Sequence, residues 1–192
     1  MNRIKLATLT TTLLVAGGIL TACGSNDSAS TSSSSSVSSS AETSSKEEVV
    51  SGASISDKAT VIEKALGSNG NWIVAITDNV TMSKDLIVSG EFHKKGDDSQ
   101  EIYRKLALYS QDESHNVTDE YTLEVPAMTV KTENFNIVHG TVQGDIIVKA
   151  NGFTLDGAKV DGNIVFEKEE YKTSAVLDQD DASVTGKISV SN

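Results

Sequence analysis

The 192-residue sequence has little of several residue types on which common functions depend. Its single cysteine excludes an internal disulfide framework and any zinc or iron–sulfur site with several cysteine ligands. Arginine occurs only at Arg3 and Arg104 and the net charge is −11, so no nucleic-acid partner is expected. Aromatic residues make up 5% of the chain, which is few for a surface that stacks on bases or sugars. The length predicts one domain, or two at most.

The N-terminal segment, residues 1–22, has the pattern of an export signal. A short basic start with Arg3 and Lys5 precedes an apolar stretch over residues 6–20. This stretch is shorter than the ~20 residues that a transmembrane helix needs. We therefore expect the segment to direct export without spanning the membrane.

The end of this segment, Leu20-Thr21-Ala22-Cys23, resembles the lipobox of bacterial lipoproteins. The resemblance implies cleavage between Ala22 and Cys23 and a diacylglyceryl group on the Cys23 thiol, with palmitate-type acyl chains. Two or three acyl chains hold a protein firmly at a membrane. We therefore expect a lipid anchor on the extracytoplasmic face of the cell membrane. The alternative is an ordinary secretory signal beside an incidental cysteine.

Residues 23–48 comprise Cys23 and a serine-rich, low-complexity tether. Positions 24–48 contain 13 serines and no aromatic residue, so they cannot bury enough surface to offset their chain entropy. A flexible chain of this length has a mean reach of ~25–30 Å. A short serine-rich segment after a lipobox resembles that of surface lipoproteins of Gram-positive bacteria, so a cell-surface location is expected.

The folded domain is expected over residues 49–192. Residues 57–66 predict one short helix, whose start Ser56 or Asp57 can cap and which Gly67 can end. Downstream of this helix the alternation of apolar and polar residues predicts strands. The apolar face of the helix would comprise Val61, Ile62, Ala65 and Leu66.

An internal repeat carries the clearest architectural signal. The segment TVQGDIIV at 141–148 recurs as KVDGNIVF at 159–166, 18 residues later, and as SVTGKISV at 183–190. The last copy lies 24 residues after the second, and the extra residues are expected in the acidic loop at 179–181. A weaker copy occurs at 81–88. Self-similarity at a fixed interval is typical of stacked repeat architectures.

Like residues that recur in the same order favour parallel stacking of equivalent strands over hairpins. The sequence therefore predicts an all-β fold, a short right-handed parallel β-solenoid with one N-terminal capping helix. Its clearest coils would lie at 135–190, with non-repeating strands at 91–130. The glycines Gly144, Gly162 and Gly186 would occupy a position that excludes a Cβ. An antiparallel β-sandwich is the alternative fold, which explains the strands and turns but not the 18-residue register.

The rhythm of residues 135–190 resembles that of bactofilins, bacterial cytoskeletal proteins. The resemblance implies a right-handed parallel β-helix core and end-to-end polymerisation. It rests on short motifs such as VQGDIIV and VDGNIVF. The export signal is a departure, because bactofilins act in the cytosol or on the inner side of the membrane.

Candidates for chemistry are few. The histidines His93, His115 and His139 have no metal-ligand spacing, and His139 is expected at a solvated corner. Asp145 and Asp161 are expected to point outward, where they would not form an acid–base pair. We expect no catalytic residue, no cofactor and no enzymatic activity. A weak calcium-binding candidate is the acidic group Asp178, Asp180 and Asp181.

The last coil is expected to form an interaction edge, because the residues after Val190 are too few to cap it. Its apolar residues, Val184, Ile188 and Val190, would then support self-association or docking of a cell-envelope partner. The alternative is that residues 91–130 fold over that end and cover it.

These features predict a membrane-anchored surface lipoprotein with a non-enzymatic β-solenoid that acts in scaffolding, adhesion or self-association. The alternative is a module that binds or cleaves cell-wall glycans. A transporter's substrate-binding lipoprotein is disfavoured, since it needs two α/β lobes. Trp72 is expected in the core, and the remaining aromatic candidates for a glycan site are Tyr103, Tyr109, Tyr121 and Tyr171.

Overall fold

The computed structural model describes residues 53–191, in which short β-strands are the predominant secondary structure. It also contains two helices, α1 (Ala59–Leu66) and α2 (Glu169–Thr173), and a 3₁₀ turn at Lys94–Gly96. Neither helix of this segment is long and apolar enough to cross a membrane. The strands of the described residues are β1 (Ala53–Ile55), β2 (Ile73–Ala75), β3 (Val80–Thr81), β4 (Leu86–Val88), β5 (Arg104–Ala107), β6 (Tyr109–Gln111), β7 (Val117–Glu120), β8 (Thr122–Val130), β9 (Phe135–Val138), β10 (Thr141–Val148), β11 (Thr154–Asp156), β12 (Lys159–Asp161), β13 (Ile164–Phe166), β14 (Val176–Gln179), β15 (Ser183–Val184) and β16 (Ile188–Val190).

Two parallel sheets dominate the described part of the chain. The first, of six strands, has the order β1-β2-β5-β9-β11-β14. In the second, of eight strands, β8 and β10 pair along their length. Strands β3 and β12 pair with the N-terminal halves of β8 and β10, respectively, and β4 and β13 pair with their C-terminal halves. Strands β15 and β16 pair with β12 and β13. The only antiparallel pairing between strands of this region is the hairpin β6–β7. The all-β class is confirmed, and the strands pair in parallel instead of in the antiparallel sandwich.

Equivalent residues of the repeat lie side by side on neighbouring strands. Val142 is paired with Val160, and Val160 is paired with Val184. Each 18-residue interval therefore corresponds to one step between strands, about 4.8 Å. The same pairing joins Ile146, Ile164 and Ile188 and, upstream, Ile137 and Leu155.

Residues 91–130, which were expected not to repeat, contribute strands to the same sheets. Leu106 of β5 is paired with Val74 of β2, and β8 lies between β10 and the pair β3 and β4. The repeat is concealed in this segment because a long loop precedes β5 and the hairpin β6–β7 follows it. A bulge in β8 opposite Gly144 shifts the spacing further.

The weakest copy of the repeat, which includes β4, differs in part from its predicted alignment. A column is here a row of residues paired with one another on successive neighbouring strands. Leu86 lies in the same column as Ile146, as predicted. The column of Val142 is filled by Val80 and not by Met82. The corner between β3 and β4 is longer than the corresponding bend of β10, and this moves the equivalent residue upstream.

Alternation along each strand divides core from surface. In β10, Val142, Ile146 and Val148 are fully buried, whereas Gln143 and Asp145 are exposed. This is the period expected of strands with one face on the core. The buried valine, isoleucine, leucine and phenylalanine side chains form one continuous hydrophobic cluster, in which burial of apolar surface stabilises the fold.

The three repeat glycines occupy one column in which no Cβ fits. A Cβ on Gly162 would lie 2.1 Å from the carbonyl oxygen of Gly144, and one on Gly186 would lie 2.3 Å from that of Gly162. The predicted exclusion of a Cβ is confirmed. Its cause at Gly162 and Gly186 is the close approach of the neighbouring backbone, since a positive φ occurs only at Gly144 of the three.

Helix α1 begins later than predicted and without the predicted side-chain cap. It starts after Lys58, whose side chain makes no capping hydrogen bond. Ser56 Oγ instead accepts a hydrogen bond from the N–H of Lys58, the residue directly before the helix, at 3.1 Å. The helix ends before Gly67, as predicted.

One face of α1 packs against the first strands of the two sheets. Ile62, Ala65 and Leu66 are buried, and the helix contacts β2 and β4. Val61, predicted on the same face, is 39% exposed. The buried face is therefore narrower than the sequence pattern predicts.

A buried arginine joins this helix to the sheet. Arg104 of β5 is fully buried, and its guanidinium donates hydrogen bonds to the carbonyls of Ala65, Gly67, Asn71 and Ser89 at 2.6–3.0 Å. Burial lowers the pKa of Arg104 to about 10. Since Ala65 and Gly67 lie at the end of α1, the side chain satisfies carbonyls that a helix leaves without partners.

The extra residues of the last repeat lie mainly in α2, not in the acidic loop. The offset between paired residues is 18 at Thr154 and Asn136 but already 22 at Val176 and Thr154. It reaches 24 at Ser183, after the acidic loop. Four of the six additional residues therefore precede β14, and the prediction that placed them at 179–181 is wrong for most of them.

Candidate functional site

The predicted interaction edge lies on the last strands of the eight-stranded sheet. Val184 belongs to β15, and Ile188 and Val190 belong to β16, the two strands at the ends of the sheet order. Ile188 is 43% exposed, whereas Ile164, one strand earlier in the same column, is fully buried. Val184 and Val190 are half-buried. The core columns therefore reach the surface here, and residues 91–130 do not cover this end.

Strand β15 is hydrogen-bonded to β12 and strand β16 to β13, in each case through the backbone groups of every second residue. The N–H groups of Ser183, Thr185 and Ser191 donate to carbonyls of the preceding strands at 2.8–3.1 Å. Alternate residues of an edge strand face away from its partner, so the N–H and C=O groups of Ile188 and Val190 point outward. Such an edge is a template for a further strand.

An open depression of about 550 Å³ lies at this end of the sheets. Its floor is apolar, and Lys172, Asp178 and Ser183 supply its polar groups. The floor comprises the last residues of several core columns together with their neighbours, namely Ala175, Leu177, Ala182, Val184 and Ile188.

Leu177 and Ala182 are the part of this site that the sequence analysis missed. Leu177 lies in β14, which pairs with β11 across a bulge, so no fixed spacing aligns it with Leu155. The one sequence feature that could have identified Leu177 as a strand residue equivalent to Leu155 is the Leu-Asp pair that Leu155-Asp156 and Leu177-Asp178 share. The insertion of α2 concealed it.

Outward-facing side chains hold the last strands in register. Asp145 Oδ1 accepts the N–H of Asn163 at 2.8 Å, and Asn163 Oδ1 accepts the N–H of Lys187 at 2.9 Å. Beside them, the Thr185 hydroxyl donates to Asp161 at 2.8 Å. Asp145 and Asp161 are exposed, as expected, and these bonds tie one repeat to the next.

The acidic group at 178–181 forms a tight turn and no assembled cation site. Asp180 and Asp181 have positive φ values of 47° and 64°, and all three aspartates are exposed. Among residues 53–191, no group of three or more His, Cys, Asp or Glu side chains is placed to hold a metal ion. The structure therefore does not bring Asp178, Asp180 and Asp181 together as calcium ligands.

His139 lies at a corner, as predicted, but it is not freely solvated. Its side chain is 30% exposed, and its ring meets that of Tyr109 edge-on at 4.8 Å. Its Nδ1 is 3.4 Å from a carboxylate oxygen of Glu120. The expectation of a solvated histidine is therefore wrong, because the hairpin β6–β7 packs over this corner.

The predicted lipidation site lies outside the described residues. Ala22 and Cys23, the export signal at 1–22 and the tether at 23–48 all precede residue 53.

Trp72, expected in the core, is 8% exposed, and the prediction of its burial is confirmed.

Comparison with known proteins adds no relative. The sequence matches no family model, and no curated protein or solved structure is similar enough to be matched to it.

Proposed function

We propose that this chain is a lipid-anchored surface protein whose stacked strands form a non-enzymatic scaffold that associates with further copies of itself through the last strands. The observation that carries the proposal is the exposure of a core column at Ile188. A side chain whose equivalents are fully buried is left 43% exposed at this end.

The architecture in this proposal is a short right-handed parallel β-solenoid with α1 as its N-terminal cap. From β2 onward the chain passes back and forth between the two parallel sheets, one or two strands at a time, interrupted only by the hairpin β6–β7, and equivalent residues recur on neighbouring strands. Crossovers between parallel strands favour the right hand. In such a stack each layer buries its neighbours, so a terminal layer without a cover favours association.

Apolar side chains are exposed at both ends of the stack, which supports a second copy as the partner. The N-terminal end exposes Ile55 and Val61, and Val61 shares its side of α1 with the exposed Lys64. The C-terminal end exposes Ile188 beside the acidic turn at 178–181. An apolar surface for a second copy is therefore available at each end.

Self-association is tested with the full chain carrying Cys23→Ser, which removes the lipid without touching the domain. We expect its mass by light scattering to rise with concentration and Ile188→Asp to abolish that rise. Ile87→Asp is the matched control, because Ile87 is 50% exposed on the outer side of β4, away from the last strands. A chain that stays monomeric at all concentrations would overturn the proposal, as would equal effects of the two variants.

The lipid anchor is tested separately in intact cells. Cys23→Ser is expected to abolish palmitate labelling, since Cys23 is the single cysteine of the chain and the predicted attachment site of the acyl chains. Labelling that persists in the variant would contradict this part of the proposal.

A further inference from the structure

Strand β5 directs aromatic and basic side chains to the outer side of the six-stranded sheet. Arg104 and Leu106 point inward and are fully buried. Because side chains alternate along a strand, Tyr103, Lys105 and, beyond the strand, Tyr109 lie on the outer side. The Nζ atom of Lys105 is 5.8 Å from the ring centre of Tyr109.

Both tyrosine rings are held in place and remain partly exposed. The Tyr103 ring lies 6.1 Å from that of Trp72, with Lys94 Nζ 5.6 Å from its centre. The Tyr109 ring lies 4.8 Å from the imidazole of His139. Because these contacts fix the rings before any ligand arrives, a ligand that packs on them orders few additional side chains.

Hydrogen-bonding groups lie beside the two rings. Strand pairing places Lys105, Asn136 and Thr154 side by side on β5, β9 and β11, and each is half-buried. Burial raises the pKa of Tyr103, and the negative charge of Asp156 raises it further. Asp156 lies two residues after Thr154 in β11, so alternation along the strand places its carboxylate on the same outer side.

We propose that this outer side, defined by Tyr103, Lys105, Tyr109, Asn136 and Thr154, binds an uncharged glycan. A pyranose ring has an apolar C–H face that can pack on an aromatic ring. Its hydroxyls can exchange hydrogen bonds with lysine, asparagine, threonine and aspartate side chains.

The charge of the chain favours an uncharged ligand over an acidic one. The protein carries a net charge of −11, so it repels polyanions at long range. On the outer side itself, Lys94 and Lys105 are offset by Glu101 and Asp156, and no excess of positive charge is available to an acidic polymer. The occupant is therefore a neutral sugar chain.

The test uses the Cys23→Ser full chain and three soluble probes: the β-1,4-linked hexasaccharides of glucose and of N-acetylglucosamine, and the polyanion polygalacturonate. Binding is followed by the fluorescence of Trp72, the single tryptophan, which lies beside Tyr103, and by NMR shifts of Asn136 and Thr154. We expect at least one uncharged hexasaccharide to bind and polygalacturonate not to bind.

Substitutions locate the binding. Tyr109→Ala and Lys105→Ala are expected to weaken hexasaccharide binding at least about tenfold, which is the effect of removing a central contact residue. Tyr171→Ala is the control, since Tyr171 is also a half-buried tyrosine beside a lysine, with Lys168 Nζ 5.2 Å from its ring. Far-UV circular dichroism checks that each variant is folded.

Three results would overturn the inference: no binding of either uncharged hexasaccharide, binding of polygalacturonate alone, or equal loss of affinity in Tyr109→Ala and Tyr171→Ala. The inference is independent of self-association. Ile188→Asp should bind the hexasaccharide as the parent chain does, so the two proposals can fail separately.

Discussion

At the N-terminal end of the second sheet Leu86 is fully buried, whereas Ile188, at the other end of the same column, is 43% exposed. The side chains are similar in size and both face the core side of their strands. The two residues differ in whether another element of the chain packs over them. Helix α1 contacts β4 beside Leu86, and within the described residues no element packs over Ile188.

The repeat pattern alone therefore does not determine burial. A residue in a column is buried when layers lie on both of its sides, and at the ends the cover must come from another segment. At the first end that segment is α1, which Arg104 ties to the sheet through four hydrogen bonds. At the last end the cover would come from another molecule, in the function proposed above.

The largest effect is expected from truncating the same residue type in the middle and at the end of one column. Ile164→Ala should lower the free energy of unfolding by about 2–5 kcal/mol, because it leaves a cavity in a packed core. Ile188→Ala should lower it by about 1 kcal/mol or less in dilute solution, since less apolar surface is lost. Urea unfolding followed by circular dichroism measures both.

The same pair of variants also reports on the cover of the last strands. If copies associate, the loss in Ile188→Ala should grow with protein concentration, because folding and association are linked. Equal losses for Ile164→Ala and Ile188→Ala in dilute solution would mean that the last strands are covered within one molecule.

A somewhat smaller effect is expected at the closed end, from Arg104→Met. The methionine fills part of the space but removes the side-chain donor from all four carbonyls, at a loss of about 3 kcal/mol. The carbonyls of Ala65 and Gly67 keep a backbone partner, the N–H groups of Asn71 and Gly70, respectively. Amide hydrogen exchange should quicken in α1 and at 67–71 before it does in β13. Lys105→Met, the next residue along but on the outer side, is the control and should leave these rates unchanged. Uniform quickening across the domain would show that Arg104 does not act locally.

The smallest effect is expected from an exposed ion pair on the corner of the repeats. Lys149 Nζ lies 2.7 Å from Glu167 Oε1, and the hydrogen bond with Lys149, together with its charge, lowers the pKa of Glu167. Its contribution to stability is therefore present above the ordinary carboxyl pKa and is lost as the pH falls through the lowered value.

Lys149→Met should return the pKa of Glu167 toward its ordinary value in an NMR titration, with little change in the unfolding midpoint at neutral pH. Lys159→Met, on the exposed side of β12, is the control and should leave the pKa of Glu167 as it is. An unchanged pKa in Lys149→Met would show that the pair does not form in solution.

Much of the parallel arrangement could be predicted from the sequence. The spacing of Val142 and Val160 and the glycines at 144, 162 and 186 identified strands that lie side by side, because only parallel stacking repeats residues in the same order. The placement of Val184, Ile188 and Val190 on the last strands of the second sheet followed from the position of the last repeat.

Other features could not be predicted because they depend on insertions and on contacts distant in sequence. The long loop and hairpin around β5 concealed a strand that belongs to the first sheet. Nothing local marks Arg104 as buried, since its partners are carbonyls 15–39 residues away. The contact of His139 with Tyr109 likewise depends on how the hairpin folds back.

The amino-acid sequence by itself determined the strand period, the parallel register and the column of glycines, because each depends on spacing along the chain and on the size of a side chain. The tertiary structure alone decided which end of the sheets is covered, where Arg104 finds its acceptors and which side chains meet Tyr103 and Tyr109. These depend on the space between segments far apart in sequence, and the spacing of residues along the chain does not encode that space.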